Sequence, residues 1–219
     1  MQDGAVTDQP TSPSGPGGLS PDALGSALRD IVEFVDAAGW GRPPTLFALV
    51  PTAVLAASRP ELVDDDDDSE LSPVVQDTVE VTGTGPETGA AIERLLATTA
   101  WPPMVVGAAL VQEILVLPPE AESDLDTAFD TLLGTPDDPE AADAAARETA
   151  RSHPGRRAAR LVVGALRGGQ SLSLMQLRPA PGEEPATDPS GRVELLTHAD
   201  LAPELRAAVA QTLAAHPED

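Results

Sequence analysis

Apolar residues recur along this chain first at helical and then at strand-like spacing, and their order sketches a fold. Leu24, Leu28, Ile31 and Val35 lie three or four apart, with Ala27, Phe34 and Ala38 beside them. Ser20-Pro21-Asp22 supplies the start of that helix: a hydroxyl cap, proline at the first position and an acid in the first turn. Gly39 ends it in the left-handed conformation, and Trp40 folds back onto the last turn. Thr45 to Val50 is apolar on both faces, a buried strand, after which Thr52 caps a short helix that stops at Arg59-Pro60. Val74 to Val81 reads as a weak strand, and Pro86 to Thr99 as a helix with Ile92, Leu95, Leu96 and Thr99 inward. Met104 to Leu117, bounded by prolines and rich in β-branched residues, reads as a long strand with a bulge or a solvated face at Gln112-Glu113.

The second half continues the pattern. Leu125, Phe129, Leu132 and Leu133 suggest a short helix ending at Gly134, and Asp138-Pro139-Glu140 opens another that runs to about Ser152. Leu161 to Leu166 and Leu172 to Leu177 flank Gly168-Gly169 as the arms of a hairpin, with positive φ expected at both tight positions. Asp188-Pro189-Ser190-Gly191 is a turn, Val193 to Leu196 a last strand, and Asp200 the cap of a final helix carrying Leu201, Leu205, Val209 and Leu213 on one stripe. Hairpins and long loops outnumber strand–helix alternations. The expected fold is therefore α+β: a mainly antiparallel sheet of about five strands, with the first and last amphipathic helices on one face. Residues 1–19 read as a disordered tail and residues 20–216 as a single domain. Within it, 61–73 form a solvated acidic loop, because the five adjacent carboxylates of Asp64 to Asp68 cannot be buried cheaply.

Composition narrows the chemistry. Of the 219 residues, 41% are hydrophobic, enough for a core, and no apolar run approaches the ~18 residues of a membrane span. The first residues show no secretory signal, so the expected location is cytoplasmic. There is no Cys, Lys, Asn or Tyr, a bias that also fits a GC-rich genome. Without Cys there is no disulfide framework, thiolate metal site or cysteine nucleophile, and without Lys no Schiff base or phosphate-loop lysine. Thirteen basic residues, all Arg, against 36 acidic ones give a net charge of −23. Such a charge repels nucleic acid phosphates and favours basic partners.

Four segments carry a resemblance: AGWGRPPTLFALVPTAVL (37–55), AWPPMVVGAALVQEILVLPP (100–119), the His153-Pro154 pair and RLVVGALRGGQSLSLMQLR (160–178). Together they resemble an uncharacterised family of small acidic actinobacterial proteins of unknown function, over roughly residues 20–216. The resemblance implies no activity, ligand or catalytic residue. The element order is also similar to the α-β-β-β-α-β-β-α arrangement of secretion-chaperone-like domains, an analogy of fold alone.

Each candidate site has a simpler reading beside it. Gly83-Thr84-Gly85-Pro86-Glu87-Thr88-Gly89 follows a strand-like stretch and opens a helix, as a phosphate loop would. Its spacing is GxGxxxG, Pro86 removes an amide donor and Glu87 sits where phosphate should, so a turn with Thr84 and Glu87 as a capping box is favoured. Asp64 to Asp68 could collect Ca²⁺ or Mg²⁺ weakly, but adjacent aspartates point to alternate sides, unlike an EF-hand loop. His153, His198 and His216 form no zinc-binding pair; His153 suits a helix C-terminus, and His198 lies two residues before Asp200 without a nucleophile, since Ser171 and Ser173 are strand residues. Glu113, in the most apolar strand, is the carboxylate best placed for a raised pKa, unless it simply faces outward. Trp40 and Trp101 read as packing anchors rather than ligand platforms. No residue is assigned a catalytic, cofactor-binding or metal-binding role, and no cofactor is expected. The expected function is a non-enzymatic, protein-binding, adaptor or chaperone-like domain, with a protein partner or self-association and neither nucleic acid nor membrane. The alternative is a small-molecule-binding protein or enzyme using Arg and carboxylates in a groove.

Overall fold

The computed structural model describes residues 18–64, 66–78, 86–117 and 152–214. The helices are α1 (Ala23–Ala37), α2 (Thr52–Ser58), α3 (Pro86–Thr98) and α4 (Pro203–Ala214), and the strands are β1 (Thr45–Pro51), β2 (Leu71–Thr78), β3 (Gly107–Val116), β4 (Arg157–Leu166) and β5 (Ser171–Leu177). The five strands form one antiparallel sheet in the order β2-β1-β3-β4-β5. The α+β class, the strand number and the β4–β5 hairpin are as expected. The expected helices at 125–134 and 138–152 fall outside the described residues, save Ser152. No helix among the described residues is long and apolar enough to cross a membrane.

The central strands are buried on both faces, which is why their sequences do not alternate. Phe47, Leu49, Ala109, Val111 and Val162 face α1, where Leu24, Leu28, Ile31 and Val32 cover them. Leu46, Ala48, Leu110, Val163 and Ala165 face the other way, under Ile92 and Leu96 of α3 and Val209 and Leu213 of α4. The first and last helices thus lie on opposite faces, not on one. A sheet apolar on both sides needs two covers, and α1 supplies only one.

Several local expectations are corrected. Helix α1 starts at Ala23, and Ser20 does not cap it with its side chain; the Ser20 backbone N–H donates to Glu70 Oε2 at 2.7 Å. Thr52 is the first residue of α2 rather than its cap, and its hydroxyl joins Ser69 and Ser72. Strand β2 begins at Leu71, three residues earlier than read, because Leu71 is buried against α1. The 193–196 segment makes only isolated bridges, Thr187 with Val193 and Met175 with Leu196. Of the two hairpin glycines, Gly169 alone has positive φ. Asp200 does not cap α4: the helix starts after Ala202 at φ 50°, since the proline at 203 disfavours the right-handed helical region for the residue before it. Strand β3 has no bulge; its register with β4 runs unbroken from Gly107↔Leu166 to Val116↔Arg157. Residues 112–116 are half-buried because the β1 ladder stops at Thr45↔Val111.

A buried polar network fastens the C-terminal end of α1. Arg160 of β4, 1% exposed, donates to Asp36 Oδ1 at 3.1 Å, to Gly39 O at 3.0 Å and to Gln176 Oε1. Its guanidinium lies 4.3 Å from the centre of the Trp40 ring, and Gln176 Nε2 donates to Asp36 Oδ1 at 2.7 Å.

Candidate functional site

The concave surface with the most distinctive chemistry lies beside the N-terminal half of α1. Ala23, Ser26 and Asp30 recur at helical spacing and form one wall of a groove of about 640 Å³. The other wall comes from the chain leading into β2: Leu62 from a 3₁₀ turn (Pro60–Leu62), then Asp67, Asp68 and Glu70, then Pro73 of β2. Among the described residues, four carboxylates line this groove and no basic residue does.

Local hydrogen bonds hold the acidic wall in place. Asp67 N–H donates to Asp64 O at 3.0 Å, and Ser69 N–H to Asp67 Oδ1 at 2.9 Å. The Thr52, Ser69 and Ser72 hydroxyls form a chain of bonds at 3.2 and 2.9 Å, and Thr52 N–H donates to Glu70 O at 3.1 Å. The acidic segment is thereby tied to the end of β1 while its carboxylates face solvent.

The electrostatics differ across the groove. Burial pushes the Asp30 carboxyl above its ordinary value; the neighbouring Glu33 and Asp67 carboxylates add to this, while Arg192 and Arg29 oppose it. Hydrogen bonds from the Ser20 hydroxyl and backbone N–H hold Glu70 below its ordinary value. Arg192 lies 3.6 Å from Asp30 and 2.6 Å from Glu33, outside the groove. Leu62 is 59% exposed. One turn beyond Asp30, Phe34 stands in the open, edge-on to Phe47 at 6.2 Å.

The other candidate residues are dispersed. Gly83 to Gly85, Asp65 and His216 lie outside the described residues, and Pro86 to Gly89 form the first turn of α3. Among the described residues no group of three or more His, Asp or Glu is placed to hold a metal ion. His153 Nδ1 accepts from Gly155 N–H at 3.0 Å. His198 Nδ1 accepts from Asp200 N–H at 3.2 Å and lies 3.6 Å from Asp200 Oδ2, so the pair exists, but both side chains are largely in solvent. The Ser173 hydroxyl is buried without a hydrogen-bond partner, so it is not activated by that histidine. Glu113 accepts from Gly41 N–H at 2.6 Å and Arg42 N–H at 3.2 Å, fastening the turn before β1. Trp101, 4% exposed, donates from Nε1 to Thr212 Oγ1 at 2.8 Å and anchors α4, as read from the sequence. Trp40 lies between elements as the platform for Arg160.

The described elements run from α1 at Ala23 to the end of α4 at Ala214, and the model of one protein family spans nearly the same stretch, residues 24–214. The chain belongs to the PPA1309-like protein family. No curated protein and no solved structure matches it. The analogy with secretion-chaperone-like domains gains no support, since α3 stands between the second and third strands.

Sequence reasoning found the acidic wall, with Asp67, Asp68 and Glu70 in the 61–73 loop, but missed Asp30 opposite it. The spacing of Ala23, Ser26 and Asp30 carried the signal: it marks a helix stripe next to the buried one, and the short linkage between Thr52 and Leu71 brings the acidic loop against it.

Proposed function

We propose that the protein is a non-enzymatic docking domain whose acidic groove takes a basic segment of a protein partner. The observation that carries this reading is the groove itself: Asp30, Asp67, Asp68 and Glu70 share its walls with the apolar Ala23, Leu62 and Pro73, and no basic residue is among the described residues that line it. Carboxylates gathered in this way gain from an incoming guanidinium or ammonium: Asp67 and Asp68 stand exposed, and Asp30, raised by burial, is only partly compensated by Arg192 at 3.6 Å. A second copy of the chain fits the groove poorly, because it brings another net charge of −23. Charge of one sign steers the encounter, and the apolar wall residues supply the contact that distinguishes one basic segment from another.

The test is a pull-down from native lysate with the wild-type chain and with the Asp30→Asn/Asp67→Asn/Asp68→Asn variant, at about 50 mM and about 500 mM salt. The reading expects proteins captured by the wild type at low salt, lost at high salt and absent with the variant. Equal capture by the variant, or a saturable metabolite ligand in place of any protein, overturns it.

A further inference from the structure

A second concave surface adjoins the acidic groove. It has a volume of about 680 Å³ and shares Ser69 and Glu70 with the first. Its remaining wall is largely apolar: Leu19, Pro51, Ala53, Val106 and Leu166. The polar side chains at its rim are already engaged. Arg167 donates to Val105 O at 2.8 Å and Trp101 O at 3.1 Å and also to Leu213 O, and Gln170 Nε2 donates to Pro21 O at 2.7 Å. What remains open to a partner is therefore apolar surface, which meets the acidic groove at Ser69 and at Glu70, whose carboxylate is held by the Ser20 N–H.

We infer that the recognised segment is bipartite, with one or two apolar side chains seated in the Leu19–Leu166 pocket and, across Glu70, a short run of arginine or lysine in the acidic groove. This rests on the docking reading of the groove. Charge complementarity fixes the basic half, since four carboxylates stand on that side. The shared wall at Ser69 and Glu70 sets the order, because a chain leaving the acidic groove past these residues meets the apolar pocket next. The segment does not bind as a sixth strand. Glu70 O points toward the end of β1, so by alternation Leu71, Pro73 and Val75 turn their backbone groups outward along β2. Pro73 has no N–H to donate, which interrupts any ladder at the middle of that edge.

Fluorescence anisotropy with two labelled peptides and the full chain tests this. One probe carries Leu-Phe, a Gly-Ser spacer and three arginines; the other has Ser-Ser in place of Leu-Phe. The Leu-Phe probe is expected to bind at least about tenfold more tightly, the minimum for burying one large apolar side chain. Ala53 is exposed on α2, so Ala53→Gln fills the pocket without disturbing the core, and it is expected to erase the difference while leaving the Ser-Ser probe unchanged. Phe34→Ser, on the far side of the acidic groove, is expected to leave both affinities alone. Equal binding of the two probes overturns the bipartite reading, as does loss of the difference with Phe34→Ser rather than Ala53→Gln; in both cases salt-sensitive binding lost in the Asp30→Asn/Asp67→Asn/Asp68→Asn variant leaves the docking reading standing. Failure of both probes to bind at about 50 mM salt removes the docking reading and the inference together.

Discussion

Replacing Arg160 with Met isolates the worth of the buried network. The guanidinium is 1% exposed and its partner Asp36 has a third of its side chain in solvent, at 32%. Breaking a buried ion pair by removing one partner costs about 3–5 kcal/mol, mostly because the remaining charge is left without compensation. Here Asp36 can take up water and still accepts from Gln176 Nε2, which places the cost near the lower end, at about 3 kcal/mol. Met conserves most of the volume, so no cavity term is added, but Gln176 Oε1 and the Gly39 carbonyl lose a donor and Trp40 loses its cation. In urea, with a slope of about 2 kcal/mol/M, the midpoint falls by about 1.5 M. Arg192→Met is the control. Its bond to Glu33 is shorter, 2.6 Å against 3.1 Å, yet both side chains are more than 40% exposed. An exposed pair contributes at most about 1 kcal/mol, and Arg192 also pairs with Asp30 at 3.6 Å, so the control shifts the midpoint by no more than about 1 M. Equal shifts for the two variants, or a loss below about 1 kcal/mol for Arg160→Met, would refute the claim that burial rather than distance sets the energy.

Three further outcomes follow from named contacts. A Cβ on Gly107 would stand 2.8 Å from the Ala165 carbonyl and 2.5 Å from Leu166 Cδ2, whereas on Gly164 the nearest atoms are all leucine methyls, starting with Leu28 Cδ2 at 2.6 Å. Gly107→Ala is therefore expected to cost more than Gly164→Ala, with overpacking costs of about 1–3 kcal/mol, and thermal melts that rank them the other way would contradict the packing argument. Asp30 has a raised pKa in the fold, so its ionised form is penalised and its contribution to stability declines as pH climbs from the unfolded value of 3.8 through the folded one. Asp30→Asn is expected to gain on the wild type between about pH 3 and about pH 7 in urea unfolding, and an opposite slope would show that Arg192 rather than burial dominates. Trp101→Phe loses the bond to Thr212 and part of a packed ring, and is expected to lower stability by about 1–3 kcal/mol and to speed hydrogen exchange in α4 before the sheet.

An element's place was legible where its local pattern and its burial agree. Leu24, Leu28, Ile31 and Val35 located α1, and the two arms around Gly168-Gly169 located the hairpin, because local patterning and burial agree there. The division of helices between the faces was also written in the chain, in the unbroken apolar run of β1, but that run names two faces without naming the helices that cover them. Helix starts were misread at Ser20, Thr52 and Asp200. Each of these residues has a tertiary partner or a turn of its own that overrides capping: Glu70 for Ser20, Ser69 and Ser72 for Thr52, and His198 for Asp200. The groove could be half read, since its acidic wall is one contiguous segment. Its other wall needed the contact between α1 and β2, a pairing over some forty residues that no local pattern encodes.

The charge balance gains meaning once the arginines are located. As a sum, −23 says only that the surface is acidic. In the structure, Arg160 and Arg167 are engaged with carbonyls at the ends of α1 and α4, Arg42 donates to Ala38 O, Arg29 to Val193 O, and Arg206 to Ala199 O. A chain without Lys or Asn uses the guanidinium fork to satisfy turn and helix-end carbonyls, a task that needs several donors fixed in one plane. Much of the positive charge is thus drawn toward backbone carbonyls or paired with carboxylates elsewhere, while Asp67, Asp68 and Glu70 stand in a groove with none of it among the described residues of the walls. The separation of the two signs, more than the total, is the feature on which the proposed docking of a cationic segment rests.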